Sequence, residues 1–315
     1  MSGETRLLDL LRLSVCSPAA RGLLDDAAVL EVGGGALVLA HDMLVEGVHY
    51  LSSDPPRDVA WKLVAVNLSD LAAKGARPLG VLLGYSLQGD EQWDRAFVAG
   101  LGTALQAFGA ALLGGDTVAV PEGSARVLGM TAIGDAAGPV PSRAGARAGD
   151  HLWVSGTIGD AGAGLRILKG ELGGPHALVE RYRLPRPRIE AGEKLAPLVS
   201  AMMDVSDGLL IDASRMAAAS GVTLSLDLSY LPLSVALVEC LGDSRASRLA
   251  AATAGDDYEL LFTASPERSG EILALADSLG LALSRVGEAE AGAGLRLCDR
   301  GEAVALPERL GWEHG

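Results

Sequence analysis

The chain has 315 residues, 40 of them acidic and 26 basic, which gives a formal net charge of −14. Hydrophobic residues make up 49% of it, enough for a substantial core, and the length fits about two domains. The acidity excludes nucleic acid and anionic membrane surfaces as main partners, because both are bound by basic surfaces.

Aromatics are only 4% while glycines number 41, a balance that suits an α/β protein with tight turns. The three cysteines, Cys16, Cys240 and Cys298, are too scattered for a disulfide framework or a Cys-x-x-Cys zinc site. Glu4, Arg6, Asp9 and Arg12 break the apolar core that a signal peptide needs. No apolar run reaches the length of a membrane span. The expectation is a soluble cytoplasmic protein.

In chain order, residues 4–15 have the spacing of a short amphipathic helix. Residues 27–32 and 36–40 are strand-like, with Gly33-Gly34-Gly35 as the turn. From Arg57 to Lys74 the pattern is helical, and Gly75 is placed to end it. Residues 79–87 form an apolar strand-sized run, 91–109 a second helix, and 111–113 and 127–133 further strands. The segment GPVPSRAGARAG (138–149) has no apolar period and reads either as the crossover between two domains, 1–138 and 139–315, or as a surface loop. Beyond it, strands are expected at 151–155, 201–205, 222–228, 258–263 and 283–286. Helices are expected at 161–169, 189–199, 207–220 and 267–279.

The acidic residues carry the functional signal. Asp25-Asp26, Asp42, Asp70, Asp116, Asp204 and Asp207 stand at the ends of apolar segments, beside glycine or small residues. A carboxylate just past a buried strand lies at the sheet rim, where α/β proteins build their sites. Six such groups brought together repel one another unless cations neutralise them, and Mg²⁺ suits oxygen ligands and substrate phosphates. Each has a plainer reading. Asp207 with Ser206 is a candidate N-cap, Asp70 a candidate surface residue of its helix, and Asp116 a candidate turn residue. Asp25 and Asp26, if extended, point to opposite sides, so only one enters a site.

The usual nucleotide-binding signatures are missing. None of the four lysines (Lys62, Lys74, Lys169, Lys194) completes a phosphate-binding Gly-x-x-x-x-Gly-Lys-Ser/Thr loop. The segment SGTIGDAGAGL (155–165) either cradles an anion at a helix N-terminus or is a structural strand–helix turn, the commoner role.

Taken together, DDAAVL (25–30), HDMLVEGVHY (41–50), VNLSDLAAKGARP (66–78), GGDT (114–117), SRAGARAGD (142–150), SGTIGDAGAGL (155–165), RPRIEAGEKL (186–195), DVSDGL (204–209) and GDDYELLF (255–262) resemble the thiamine-monophosphate kinase family. That family is related to aminoimidazole-ribonucleotide synthetase, and the resemblance runs over nearly the whole chain. It implies an α/β fold of two domains and a homodimer whose N-terminal sheets pair into a barrel. It implies ATP-dependent phosphorylation of thiamine monophosphate to thiamine diphosphate, with several Mg²⁺ ions.

Position by position, the resemblance implies Mg²⁺ ligands at Asp26, Asp42, Asp70, Asp116, Asp204 and Asp207, with Asp42 and Asp207 central to catalysis. ATP contacts are implied at Gly115, Asp116, Arg143 and Ser206. Contacts to thiamine monophosphate are implied at His49, Asp256 and Trp312, whose ring could stack on the substrate's rings. His49 and Trp312 alone would read as a structural histidine and a packed tail residue.

Four positions depart from the family pattern. Leu24 stands where Gly usually precedes the Asp pair, Ala40-His41 replaces Ser-Thr before Asp42, and Asp256 stands where Glu is frequent. The altered stretch before Asp42 weakens a metal site unless the His41 carbonyl substitutes. The rival readings are another ATP-using enzyme of the superfamily, or a nucleotide- and metal-binding regulator without catalysis.

Overall fold

The structure is a computed structural model that describes residues 9–12 and 17–313. Residues 9–12 are helical; the remainder of the helix expected at 4–15, and Cys16, lie outside the described residues. Two sheets organise the chain. The first has five strands in the order β1-β2-β5-β3-β4, with β1 at Ala28–Val32, β2 at Gly35–Val45, β3 at Arg77–Leu87, β4 at Ala111–Ala119 and β5 at Val127–Ala136. The β1–β2 hairpin turns at Gly33 and Gly34, both with positive φ, as a tight two-residue turn requires.

Helix α1 (Pro56–Ala73) and helix α2 (Glu91–Phe108) cover one face of this sheet. Alternation along β2 and β5 sends Val38, Ala40, Leu44, Leu128, Met130 and Ala132 under the helices. The other face is open. Met43, Leu82, Leu112, Leu113 and Val118 are exposed, and every residue of edge strand β4 is exposed.

The second sheet has seven strands, in the order β12-β11-β8-β10-β6-β9-β7. They are β6 (His151–Ser155), β7 (Ala201–Val205), β8 (Thr223–Asp227), β9 (Glu259–Ala264), β10 (Leu283–Glu290), β11 (Gly294–Asp299) and β12 (Glu302–Val304). Both faces are covered, so β7 and β9 are buried throughout. Leu152, Val154, Met203 and Leu261 enter a core with helices α3 (Asp160–Leu168), α4 (His176–Arg183), α6 (Leu209–Ser220), α7 (Val235–Leu241) and α8 (Arg245–Ala252). Trp153, Met202, Leu260 and Phe262 enter the opposite core, with α5 (Ile189–Leu195) and α9 (Ser269–Leu279).

Helix α1 joins the halves. It is buried nearly all round, as a helix packed on two sides must be. Its C-terminal Ala72 and Ala73 belong to the second sheet's core, whereas Val59, Leu63 and Leu68 belong to the first. Gly75 ends it with φ 61, and a Cβ there would meet Ala196 Cβ at 2.5 Å. Among the described residues no helix is long and apolar enough to cross a membrane.

The expected elements are present with shifted ends. Strands β2 and β4 run well beyond residues 40 and 113, and the helix expected at 189–199 (α5) begins at Ile189 but stops at Leu195. Helices α4, α7 and α8 and strands β11 and β12 are additions to the expected set.

Candidate active site

The site lies where α1 passes between the sheets. Asn67, Asp70 and Lys74 fall three and four residues apart and share a helix face. Asn67 is buried, and its Oδ1 accepts the Asp42 backbone N–H (2.9 Å), which fixes that stretch of β2 against the helix. Beside Asp70, Ser69 donates to Asp204 Oδ2 at 2.6 Å, tying α1 to β7. The aspartates of two distant segments thus meet through one helix.

Their charges oppose one another. Burial, then Asp207 and Asp26, push the Asp42 carboxyl up to about 6. Asp70 is pushed well above the usual carboxylate range by burial and by Asp42, Asp204 and Asp26, against a smaller pull from Lys74. Asp204 is raised by burial and by Asp26, with Ser69 opposing. Protein cations meet only the margins of this group. Lys74, fully buried, reaches Asp25 Oδ1 at 2.6 Å and Asp26 Oδ2 at 2.7 Å, and Arg143 pairs closely with Asp26. Arg215 reaches Asp207 Oδ2 at 2.5 Å and Asp212 Oδ1 at 2.8 Å.

The expectation that only one of Asp25 and Asp26 faces the site is corrected. The segment is bent, not extended, and both carboxylates turn to Lys74. Burial opposes the Asp25 charge, but Lys74 and then Arg21 outweigh it and hold that carboxyl at about 2. Arg143 comes from the segment 138–149, so that stretch brings a guanidinium to the acid group as well as linking the sheets.

The DVSDG turn is shaped from below. Asp212, in the first turn of α6, accepts the backbone N–H groups of Ser206, Asp207 and Gly208 on one oxygen, at 3.1, 3.1 and 3.2 Å. Burial raises its carboxyl to about 7, with Arg215 opposing. Asp207 does not cap α6. The cap position is Gly208, which leaves the Asp207 side chain to Arg215.

The expected substrate residues are tied to this turn, directly or through Lys62. The Asp256 N–H donates to Ser206 O at 2.7 Å, and Trp312 N–H donates to Asp207 O at 2.9 Å, so both are hung on the same turn. Trp312 is 52% exposed. His49 Nδ1 accepts the Val45 N–H at 3.0 Å, and the His49 carbonyl accepts from Lys62 Nζ at 3.1 Å. Lys62 in turn pairs with Asp256 Oδ2 at 2.9 Å.

Gly115 and Asp116 stand apart. They lie within exposed β4 and not in a turn, and Asp116 Oδ1 accepts the Thr117 N–H at 2.9 Å. Gly115 is obligatory, since a Cβ there would lie 1.9 Å from Leu83 O. The His41 side chain is on the opposite strand face from Asp42, with Nδ1 2.9 Å from Thr131 Oγ1. The SGTIGDAGAGL loop is filled by the chain itself, because the buried Asp257 carboxylate accepts the Gly159 N–H at 2.9 and 3.0 Å. That is the structural-turn reading, with a carboxylate where an anion would sit.

Among the described residues no three carboxylate, histidine or cysteine groups converge tightly enough to grip one ion by themselves. The donor set nevertheless fits Mg²⁺. It is all oxygen, the carboxyls of Asp42, Asp70 and Asp204 are raised by burial and by neighbouring aspartates, and Mg²⁺ characteristically takes one or two carboxylates and completes its shell with water and phosphate. Lys62, Lys74, Asp212 and Arg215 are the site residues that sequence reasoning missed. Only the helical spacing of Lys74 from Asp70 gave a signal.

Two family matches divide the chain. Residues 24–136 match the N-terminal domain of AIR synthase related proteins, and residues 147–299 match the C-terminal domain. The thiamine-monophosphate kinase of Caulobacter vibrioides is 40% identical over 306 residues, covering 95% of this chain and 86% of that protein. The Escherichia coli K12 thiamine-monophosphate kinase is 36% identical, with 93% and 91% covered. Among solved structures, AaThiL complexed with AMPPCP and TMP superposes with a TM-score of 0.86 at 32% identity, over 99% of this chain and 97% of that one. With the fold, the motif order and these full-length likenesses in agreement, the chain belongs to the thiamine-monophosphate kinase family of AIR synthase related proteins.

Proposed function

We propose that the family's reaction, ATP-dependent phosphorylation of thiamine monophosphate to thiamine diphosphate, is carried out in this chain at the aspartates gathered around α1. The observation that carries this reading is the set Asp42, Asp70 and Asp204, the last buried and the first two half-buried, whose carboxyls are raised by neighbouring aspartates with too little protein cation to balance them. Asp26, Asp42, Asp70, Asp204 and Asp207 would hold Mg²⁺ ions, and Asp116 would complete the set. When bound, Mg²⁺ supplies charge neutralisation and alignment for two anionic phosphates.

The chain's own residues do the rest. Arg143 offers a guanidinium to the nucleotide phosphates, with Ser206 on the turn that carries Asp207 and Gly115 beside Asp116 on β4 as further nucleotide contacts. Asp212 holds the Ser206–Gly208 turn in place from behind. His49, Asp256 and Trp312 receive thiamine monophosphate, the indole stacking on its rings. An acceptor phosphate oxygen bonds to the γ-phosphorus as the bond to the ADP oxygen breaks. The acceptor is already largely ionised near neutrality, since the second pKa of a phosphate monoester is about 6, so no strong general base is required. Turnover then depends on placing the two reactants in line.

The open apolar face carried by β3 and β4 supports a homodimer, which would also bring exposed Asp116 beside a second surface. The break between the halves falls near residue 138, and ATP dependence suits a cytoplasmic location. A coupled assay with ATP, Mg²⁺ and thiamine monophosphate tests the function. ADP and thiamine diphosphate in equal amounts are expected; nucleotide binding without turnover contradicts it.

A further inference from the structure

Lys62 is a buried charge that the reaction described above does not use. Its side chain is 2% exposed. Placing an ammonium there is costly unless partners surround it, and here three do. Nζ donates to the His49 carbonyl at 3.1 Å, pairs with Asp256 Oδ2 at 2.9 Å, and sits 3.8 Å from the centre of the Tyr182 ring.

The same two anchor points have second holds. Tyr182 OH donates to the His49 carbonyl at 3.3 Å, and Tyr258 OH donates to Asp256 Oδ1 at 3.0 Å. Asp256 has φ 69, a left-handed conformation that a non-glycine residue keeps only when its surroundings impose it. Its side chain remains 28% exposed, gripped by Lys62 and Tyr258 yet still partly open to solvent. His49 comes from the loop after β2 and Asp256 from the loop before β9, so no local hydrogen bond could set their spacing.

We propose that Lys62 is a positioning residue for the acceptor: it fastens the His49 loop to Asp256 and so builds the thiamine-monophosphate pocket across the two halves, without acting on the nucleotide. This rests on His49 and Asp256 being acceptor contacts. A purely structural lysine would lower stability and leave acceptor selectivity unmoved.

The test is calorimetric binding of thiamine monophosphate and of a non-hydrolysable ATP analogue to the full-length protein, with melting temperatures recorded alongside. The variants are Lys62→Met, Lys62→Arg, His49→Ala, Asp256→Asn and the Lys62→Met/Asp256→Asn pair. Lys62→Met is expected to weaken thiamine monophosphate at least tenfold and the nucleotide less than twofold, with Lys62→Arg recovering part of the loss. The paired variant is expected to be little worse than Asp256→Asn alone, because that substitution has already broken the link to Lys62. Weakened acceptor binding in His49→Ala and Asp256→Asn but not in Lys62→Met overturns the lysine's role alone. Unchanged acceptor binding in all of them overturns the site reading and the proposal with it. Equal loss of both ligands in Lys62→Met also overturns it. Should Lys62→Met not fold, Tyr182→Phe decides: a few-fold loss for thiamine monophosphate alone supports the proposal, and no loss overturns it.

Discussion

Asp204 and Glu259 lie one register step apart on paired strands β7 and β9, and both are buried. Their surroundings are opposite. Glu259 takes Arg181 at 2.8 Å, Arg188 at 2.7 Å and the Ser155 hydroxyl at 2.6 Å, so its charge is fully matched. Asp204 takes one hydroxyl, from Ser69, and otherwise faces Asp26, Asp212 and Asp42. Burial is the same and the sheet is the same. On the proposed reading, what separates a scaffold carboxylate from one that would hold an ion is the count of cations around it.

The sharpest way to break that comparison is to neutralise each kind of carboxylate. Asp42→Asn should lower turnover by about 10³-fold, since it removes a charge needed only with the reactants in place. Its melting temperature without metal should stay level or rise, because a repulsion is relieved. Equal turnover in the mutant refutes the role. Glu259→Gln should do the reverse. Leaving two guanidinium groups without their carboxylate should cost about 3 kcal/mol of stability, measured by denaturant unfolding, with little change in the KM of the surviving enzyme.

A smaller effect separates the two kinds by pH. Asp42 is raised to about 6 in the folded protein against 3.8 unfolded, so the folded state binds more protons between those values. Its contribution therefore makes the metal-free protein less stable as pH rises from about 4 to 6. Asp25, held at about 2, contributes in the other direction: its stabilisation is present above about 4 and is lost as pH falls towards 2. Asp42→Asn should flatten the first slope and Asp25→Asn the second, in melting temperatures recorded across pH 2–7.

Much of this was legible in the chain. The α1 period, the β1–β2 turn and the covered strands β6 and β7 follow from apolar spacing, which reports the local face that each residue presents. Helices α7 and α8 were not legible, because each is only about two turns long and its few apolar residues make no sustained stripe. Strand β11, in AGAGLRLCDR, opens on glycines that carry no β pattern. The aspartates drew notice by standing at segment ends. Their partners did not, because Lys62 meets Asp256, and Lys74 meets Asp25, only after the chain has folded back over long distances. Arg143 was legible through family likeness, yet its pairing with Asp26 depends on the bend of residues 25–27, which no periodicity encodes.

The most direct measurement is the melting temperature of the full-length protein against Mg²⁺ concentration, for wild type and for Asp42→Asn and Asp204→Asn. An acid group short of cations should be stabilised by the ion in wild type, and each substitution should raise the Mg²⁺ concentration needed by about tenfold or more. A wild-type melting temperature indifferent to Mg²⁺, or a response that both substitutions leave unchanged, would contradict the account.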